Sequence, residues 1–280
     1  MRKISAILLT MTILLVIAGC GSKNNSAAGE LVIGSMGSDA QIWKHIAESQ
    51  AAKDAGLKLE VKEISDGVPL NNATKEGEVD VNAFQSWAYL VSYNKDSKAN
   101  LVAFDTTYLE PMGIYSDKIK NLADVPEGAE VAIANNPANT ARGLKLLEAA
   151  GLITLKADFD NGTGSVNDID SNPKQLSFTL IDDTTGPRVI KDVDLVLIGN
   201  TIALEGGLNV LEDSLYYEEI SEATKNNINI LVTTADKQDN EDIQKLSALY
   251  HSEDTQNYIK ENFGGTKVEV KKPISYLEEN

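Results

Sequence analysis

The order of the predicted elements indicates an α/β protein with mixed, mainly parallel sheets arranged in two lobes. From residue 30 onward, short β-rich runs alternate with stretches of helical periodicity, which is typical of strands joined by crossover helices. The alternation comes in two successive sets, and a chain of 280 residues is long enough for two modest cores. The two sets therefore predict two lobes rather than one continuous sheet.

The first set predicts four strands and two helices. The β-rich runs are either apolar throughout or alternate apolar and polar residues, and they cover residues 31–34, 57–64, 79–84 and 101–104. Apolar residues at helical spacing, including Ile42, Trp43 and Ile46, predict a helix over residues 40–55. A second helix is expected over residues 86–93.

The second set repeats this alternation and is followed by a terminal section. Strands are predicted over residues 130–134, 176–181 and 194–198, with helices over 139–150 and 185–190. The terminal section predicts a strand, two helices and a strand over residues 228–232, 239–250, 253–263 and 267–270. We expect it to return to the first lobe, which then comprises residues 30–110 and 227–280, while residues 111–226 form the second lobe.

Two lobes of this kind form a hinged clamp. In open α/β sheets, ligands bind in the crevice beyond the carboxyl ends of the strands. Two such crevices that face each other can close on a small molecule. The sequence therefore predicts a small-molecule site between the lobes.

The N-terminus has the features of a secretory signal. Arg2 and Lys3 precede an apolar stretch over residues 4–18, which is shorter than the 20 or so apolar residues of a typical membrane span. The sequence Ile-Ala-Gly-Cys that ends at Cys20 resembles a bacterial lipobox, in which the cysteine is acylated and becomes the mature N-terminus. Residues 1–19 are therefore predicted to be a lipoprotein signal peptide, although a lone cysteine after a signal is the alternative.

The predicted anchor agrees with the charge of the chain. Residues 20–29 are small and polar after the acylated Cys20 and predict a flexible tether on the extracytoplasmic face of the cell membrane. Without Arg2 and Lys3, 23 basic residues face 42 acidic ones, a net charge of −19. Such a body is repelled by nucleic acid and by anionic lipid, so acyl chains must supply the anchorage. Cys20 is the only cysteine, which excludes an internal disulfide.

Several stretches resemble the NlpA-type lipoprotein family, the methionine-binding proteins of ABC importers. The strongest matches are Glu-Pro-Met-Gly-Ile-Tyr-Ser at residues 110–116 and Ala-Ile-Ala-Asn-Asn-Pro at residues 132–137. The similarity runs from about residue 31 to the C-terminus. It implies a two-lobed, periplasmic-binding-protein-like fold of type II, no enzymatic activity, and a permease dimer and its ATPase as partners. We expect the chain itself to be a monomer.

The resemblance also implies which residues bind the ligand. Arg142 matches the arginine that grips the ligand carboxylate, a role that suits a planar, permanently charged guanidinium with two parallel hydrogen bonds. Asn139 lies in the same motif. Phe84 and Tyr89 match an aromatic wall, and Asn229 matches an asparagine that holds the α-amino end.

Three positions depart from the family pattern. Ser86 stands where the family has a histidine, Gly67 where it has a tyrosine, and Gly199 where it has an asparagine. Asn200 follows one position later and is included among the candidate residues, whereas Trp87 is expected to point elsewhere. Loss of two ring side chains predicts a wider or wetter pocket. L-Methionine is the first candidate ligand, and a methionine-containing dipeptide or another apolar amino acid is the alternative.

Other functional classes find little support in the sequence. The acidic stretch from Asp158 has Thr163 and Ile169 where a calcium-binding EF-hand loop has Gly and Glu. His45 and His251 are far apart and have no zinc-type partners, and no nucleophile motif occurs. We therefore predict no catalytic residues, no metal and no cofactor. A surface adhesin remains the alternative of another class.

Overall fold

The computed structural model describes residues 30–279, so the predicted signal peptide, Cys20 and tether lie outside the described residues. The elements of the first section are β1 (Glu30–Ser35), α1 (Gly37–Glu48), α2 (Gln50–Asp54), β2 (Lys58–Glu63), α3 (Gly67–Glu76), β3 (Val81–Ser86), α4 (Trp87–Ser97), β4 (Leu101–Thr106) and β5 (Tyr108–Leu109). None of the helices within residues 30–279 has the length and apolar content that a membrane-spanning segment needs.

The rest of the chain forms a second section and a return section. The second comprises β6 (Met112–Tyr115), β7 (Glu130–Ala134), α5 (Pro137–Ala149), β8 (Thr154–Leu155), β9 (Ile169–Ser171), β10 (Ser177–Ile181), α6 (Gly186–Val189), β11 (Leu195–Gly199), α7 (Asn200–Glu205), α8 (Val210–Asp213) and β12 (Tyr216–Tyr217). The return section comprises β13 (Asn229–Thr234), α9 (Glu241–Tyr250), α10 (Glu253–Asn262), β14 (Val268–Glu269) and α11 (Ser275–Glu278).

Two five-stranded mixed sheets confirm the predicted α/β class. The first has the order β2-β1-β3-β13-β4, in which β2, β1 and β3 are parallel and β13 is antiparallel to both neighbours. The second has the order β10-β7-β11-β6-β12, in which β10, β7 and β11 are parallel and β6 is antiparallel to both neighbours. The strand β13 comes from the return section, so the chain leaves the first sheet and comes back to complete it.

Each sheet has its own hydrophobic core. In the first, Trp43 and Ile46 of α1 pack with Ile33 of β1, Leu231 of β13 and Tyr250 of α9, all nearly fully buried. In the second, apolar side chains of β7, β11 and α5 form the core. Separate cores are what two lobes require, because each lobe then buries apolar surface without help from the other.

The structure corrects one predicted helix and adds one that was not predicted. The helix expected over residues 40–55 is two helices, because Ser49 has an extended backbone and its hydroxyl accepts a hydrogen bond from the backbone N–H of Ala52, which caps α2. The helix α3 was missed because Gly67, Pro69 and two asparagines weaken the helical pattern. Asp66 caps its start and Gly77, at φ 79°, ends it.

A buried network of amides joins α3 to β3. Asn82 donates to Asn71 and Thr74, and Gln85 donates to Asn71 and to Asn82, over distances of 2.7–3.1 Å. All four side chains are buried. Because each amide has a partner inside the protein, the network stabilises this part of the lobe instead of leaving polar groups unpaired.

A second buried polar cluster lies where the chain passes between the lobes. Lys267 is fully buried, and its Nζ donates to Glu110 at 2.8 Å, Asp39 at 3.0 Å and Thr201 at 3.1 Å. The Tyr108 hydroxyl donates to Asp39 as well. Glu110 connects β5 to β6 and Thr201 lies in α7, so this hinge cluster links the two sheets.

Candidate ligand-binding cleft

A cleft lies between the two sheets at the carboxyl ends of their parallel strands. Its lining includes the residue after β1 and the last residues of β3, β7 and β11, which are Met36, Ser86, Ala134 and Gly199. This is the place where ligands bind in open α/β sheets. The cavity volume of the cleft, measured as the space open to the centres of water molecules, is about 100 Å³.

Arg142 lies in this cleft and is held in place from within the protein. The helix α5 begins at Pro137, and the Asn136 side chain caps it by accepting from the backbone N–H of Asn139 at 2.9 Å. Arg142 follows one turn later, with its side chain 10% exposed. Its Nη2 donates to the Glu110 carbonyl at 2.7 Å, and Nε and Nη2 both donate to Glu218, Nε at 3.1 and 3.2 Å.

This arrangement changes the expected grip on a carboxylate. Glu218 occupies the Nε–Nη2 edge of the guanidinium, and it also accepts from Asn227 at 2.8 Å. Of the three guanidinium nitrogens, Nη1 alone has no hydrogen-bond partner within residues 30–279. The expectation of an unoccupied fork with two free parallel donors therefore needs correction, because Glu218 and the Glu110 carbonyl occupy Nε and Nη2.

The two aromatic side chains form one wall, as expected. The rings of Phe84 and Tyr89 meet edge to face with centroids 5.8 Å apart. Burial, followed by the nearby carboxylates of Asp183, Asp66 and Asp182, raises the pKa of Tyr89 well above 10. Tyr89 is therefore a neutral phenol in the physiological range and can donate a hydrogen bond from this wall.

The substitution at position 67 does not widen the cleft. A Cβ added to Gly67 would lie 2.6 Å from the Tyr89 hydroxyl and 2.8 Å from the Phe84 ring. The aromatic wall therefore occupies the space above Gly67. Position 199 is different, because a Cβ added to Gly199 meets nothing within 4 Å. The prediction of a wider pocket was made from Gly67 and Ser86, and the close contacts at Gly67 do not support it. The open space lies at Gly199, a position from which that prediction was not made.

Ser86 and Asn229 lie side by side on neighbouring strands. They are register partners in the antiparallel pair of β3 and β13, and both line the cleft. The Ser86 hydroxyl also caps α4 by accepting from the backbone N–H of Tyr89 at 3.2 Å. Ser86 therefore fixes the start of the helix that carries Tyr89, a role that the sequence comparison did not suggest.

Asn200 does not line the cleft, which corrects its inclusion among the candidate residues. Its side chain is fully buried, and Nδ2 donates to Glu110 at 2.8 Å and to Thr266 at 2.9 Å. The shift of one residue from position 199 carries the amide from the cleft into the hinge cluster. Trp87 packs in a core of the first lobe, away from the cleft, as expected.

Asp183 lines the cleft but was missed from the sequence. Its Oδ2 accepts from Asn139 at 2.7 Å and from Asn136 at 2.8 Å. Burial raises the pKa of Asp183 above 3.8, although the two amides partly oppose that effect. The available signal was position: Asp183 closely follows the predicted strand at residues 176–181, at the edge of the sheet where ligands bind.

Within residues 30–279, no group of three or more His, Cys, Asp or Glu side chains is arranged to hold a metal ion. The polar groups of the cleft are instead an arginine, asparagines, hydroxyls and carboxylates. Such a set suits a small molecule that carries both a negative and a positive charge.

Known proteins resemble this chain over nearly its full length. A family model described as NlpA lipoprotein matches residues 31–271. A probable D-methionine-binding lipoprotein MetQ of Haemophilus influenzae is 35% identical over 257 residues, which cover 89% of this chain and 92% of the relative.

Solved structures show the same similarity. Protein PG110 from Staphylococcus aureus has a TM-score of 0.84 and 38% identity, and the match covers 89% of this chain and 97% of that one. A nutrient-binding protein from Burkholderia cenocepacia, solved bound to methionine, has a TM-score of 0.81 and 33% identity, with 85% and 99% of the two chains covered.

Proposed function

The chain belongs to the NlpA lipoprotein family, and from this premise we propose that it is the substrate-binding lipoprotein of an ABC importer that captures methionine. The observation that carries the proposal is the cleft between the two sheets, which both lobes line and which contains a fixed guanidinium. The methionine-binding name of the Haemophilus influenzae relative and the methionine bound in the Burkholderia cenocepacia protein identify the ligand class. The chain is thus a binding protein and not an enzyme.

In this proposal the ligand carboxylate binds Arg142 through Nη1. Asn229 helps to hold the α-amino end, Asn139 supplies a further hydrogen bond, and Phe84 and Tyr89 contact the apolar side chain. Ser86 and Gly199 form part of the surrounding surface. Support for these roles comes from the fact that all seven residues line one cleft. Residues 30–110 with 227–280 and residues 111–226 would then close as two bodies about the hinge cluster.

A methionine-containing dipeptide, or another apolar amino acid, is the second candidate ligand. The open space at Gly199 favours it, because a ligand longer than methionine needs room that an asparagine at this position would fill. The adhesin alternative has no such observation behind it, and none of the relatives described above carries an adhesin name.

The same proposal covers the location and partners of the protein. Signal peptide 1–19 would be removed, Cys20 acylated, and residues 20–29 would tether the body to the extracytoplasmic face of the membrane. The membrane-bound partners would be a permease dimer and its ATPase, which a monomeric binding protein serves in turn. The lipoprotein name of the family supports the membrane anchor.

Calorimetric titration of the full chain in detergent tests the proposed ligand. L-Methionine, D-methionine, the dipeptide glycyl-methionine and L-leucine are titrated into wild type and into Arg142→Ala and Arg188→Ala. Arg188 is an exposed arginine of α6 and serves as the matched control. Arg142→Ala is expected to weaken binding at least about tenfold, because a charged hydrogen bond is lost, and Arg188→Ala is expected to bind like wild type.

Because Arg142→Ala leaves Glu218 without its cation, the thermal stability of each ligand-free variant is measured first. Binding is then compared at a temperature where every variant is folded. Wild-type affinity in folded Arg142→Ala would show that the carboxylate contact is wrongly assigned. Absence of binding to wild type by all four compounds would overturn the proposed ligand class.

A further inference from the structure

We propose that Asp183 is the specificity-determining residue that binds the positively charged ammonium group of the ligand. This inference rests on the proposed function and adds a residue to the site. The carboxylate lies in the same cleft as Arg142, on the edge of the second sheet that faces the first lobe. Three observations support it: its fixed orientation, the balance of charge in the cleft, and its attachment to the first turn of α5.

The orientation of Asp183 is fixed by amides that do not neutralise it. Asn136 and Asn139 both donate to the same oxygen, Oδ2. The other oxygen, Oδ1, accepts no side-chain hydrogen bond from residues 30–279. The backbone N–H of Thr184 also lies close enough to the carboxyl group to lower its pKa. Oδ2 is therefore held by side chains, and Oδ1, which has no side-chain donor within residues 30–279, can accept from a ligand in the cleft.

The balance of charge leaves Asp183 as the cleft carboxylate without a cation. Arg142 is paired with Glu218, and the Glu110 carboxylate is paired with Lys267. No lysine, arginine or histidine within residues 30–279 forms an ion pair with Asp183. A ligand that brings its own ammonium group supplies the missing positive charge, and the reduced hydration of the cleft strengthens that attraction.

Opposite charges lie beside successive turns of α5. Asn139, which holds Asp183, and Arg142 are three residues apart on one helix face, a rise of about 4.5 Å. The Asp183 carboxylate is therefore attached to the first turn of α5, and the next turn carries the guanidinium. An α-amino acid and a dipeptide both carry an ammonium and a carboxylate group, so the shared chemistry is a ligand ammonium.

The structural alternative is that Asp183 only supports the first turn of α5. A carboxylate near a helix N-terminus stabilises the helix whether or not a ligand is present. Such a role would affect unfolding but would not distinguish ligands with an amino group from those without one. Discrimination between two such ligands is therefore the decisive measurement.

The test compares L-methionine with 4-(methylthio)butanoate, which has the same skeleton without the amino group. Calorimetric titration of the full chain in detergent gives the affinity ratio of the two compounds for wild type, Asp183→Asn and Asp182→Asn. Asp183→Asn keeps the shape of the side chain and an oxygen that can accept from Asn136 and Asn139. Asp182, the neighbouring exposed carboxylate, is the matched control for loss of one negative charge.

The affinity for L-methionine divided by that for 4-(methylthio)butanoate should fall roughly 10- to 150-fold in Asp183→Asn, which corresponds to one charged hydrogen bond. Asp182→Asn should keep the wild-type ratio. Glycyl-methionine is titrated as well, to distinguish an amino acid from a dipeptide. If L-methionine or glycyl-methionine loses affinity in Asp183→Asn, that compound places its amino group beside Asp183. A ratio within twofold of wild type, with neither of these two compounds bound more weakly, would overturn the inference alone. Failure of wild type to bind any of these compounds would overturn the proposed function and this inference with it.

Discussion

Replacing Lys267 with methionine should destabilise the protein strongly. Lys267 is the cation that holds together Asp39 and Glu110, and its side chain is fully buried. Burial acts to raise the pKa of both carboxyl groups: that of Asp39 is raised, whereas Lys267 outweighs burial and lowers that of Glu110. Glu110 therefore carries the negative charge that Lys267 neutralises, and Lys267→Met leaves that charge buried and unpaired.

The expected cost is about 3–5 kcal/mol, which is typical when one partner of a buried ion pair is removed. Little of it should come from lost packing, because methionine is an unbranched side chain of nearly the same length as lysine. The substitution also removes the Lys267 Nζ that lies 4.0 Å from the centroid of the Tyr108 ring. For a chain of this size, that corresponds to a fall in the melting temperature of about 6–20 °C. Urea unfolding followed by circular dichroism gives the free energy, and a thermal scan gives the temperature.

Two further variants make the result decisive. Lys44→Met is the matched control, because Lys44 pairs with Glu63 while both side chains are 52% exposed, and such pairs contribute about 0–1 kcal/mol. Adding Glu110→Gln to Lys267→Met removes the unpaired charge and should restore part of the stability. If Lys267→Met unfolds within about 1 kcal/mol of wild type, the hinge cluster does not stabilise the fold as argued.

Three further outcomes are expected. Burial lowers the pKa of His251, but hydrogen bonds to carboxylates, including that of Glu269 at 2.6 Å, outweigh burial and raise the pKa above 6.5. Protonated His251 should therefore stabilise the fold fully below pH 6.5, and this stability should be lost as the pH rises through the raised pKa. His251→Gln should flatten the pH dependence of the free energy of urea unfolding. Gly199→Asn should tighten methionine binding about 2- to 12-fold in calorimetry, because the open space admits an amide that can donate one hydrogen bond. Gly67→Ala should displace the Tyr89 ring, weaken binding and change the near-ultraviolet circular dichroism, because the new Cβ would lie 2.6 Å from the Tyr89 hydroxyl.

Each of these outcomes has a control and a result that would contradict it. His45→Gln removes the other histidine, which lies at the surface beside Asp254, so an equal change in that variant would exclude a special role for His251. Gly199→Ala adds a Cβ without a donor, and a gain in affinity equal to that of Gly199→Asn would point to packing instead of a hydrogen bond. Gly162→Ala is the control for Gly67→Ala, because its Cβ would meet only one atom, at 3.4 Å. Unchanged aromatic dichroism in Gly67→Ala would show that Phe84 and Tyr89 accommodate the Cβ without moving their rings.

The fold could be predicted from the sequence wherever side chains determine the local structure. Apolar runs and helical spacing identified the parallel strands of both sheets and the helices α1, α5, α9 and α10. The short strands β5, β8 and β12 were missed because their pairing depends on distant partners, as when Tyr108 and Leu109 pair with β14. Such contacts leave no periodic pattern in the chain.

The cleft was only partly predictable for the same reason. The family motif led to Arg142, Phe84, Tyr89 and Asn229, and the structure brings all of them to one cleft. It gave no sign of Glu218, which comes from a long connection and reaches Arg142 only in the folded chain. Asn200 was misjudged because a side chain one position along the chain at the start of a helix points in a different direction.

The amide network beneath the cleft has a consequence for the conditions in which the protein can work. Asn71, Thr74, Asn82 and Gln85 neither gain nor lose a proton at any pH at which proteins fold. Carboxylates or histidines in this position would change charge with acidity. A network of amides and a hydroxyl therefore keeps its hydrogen bonds when the surrounding medium becomes acid or alkaline.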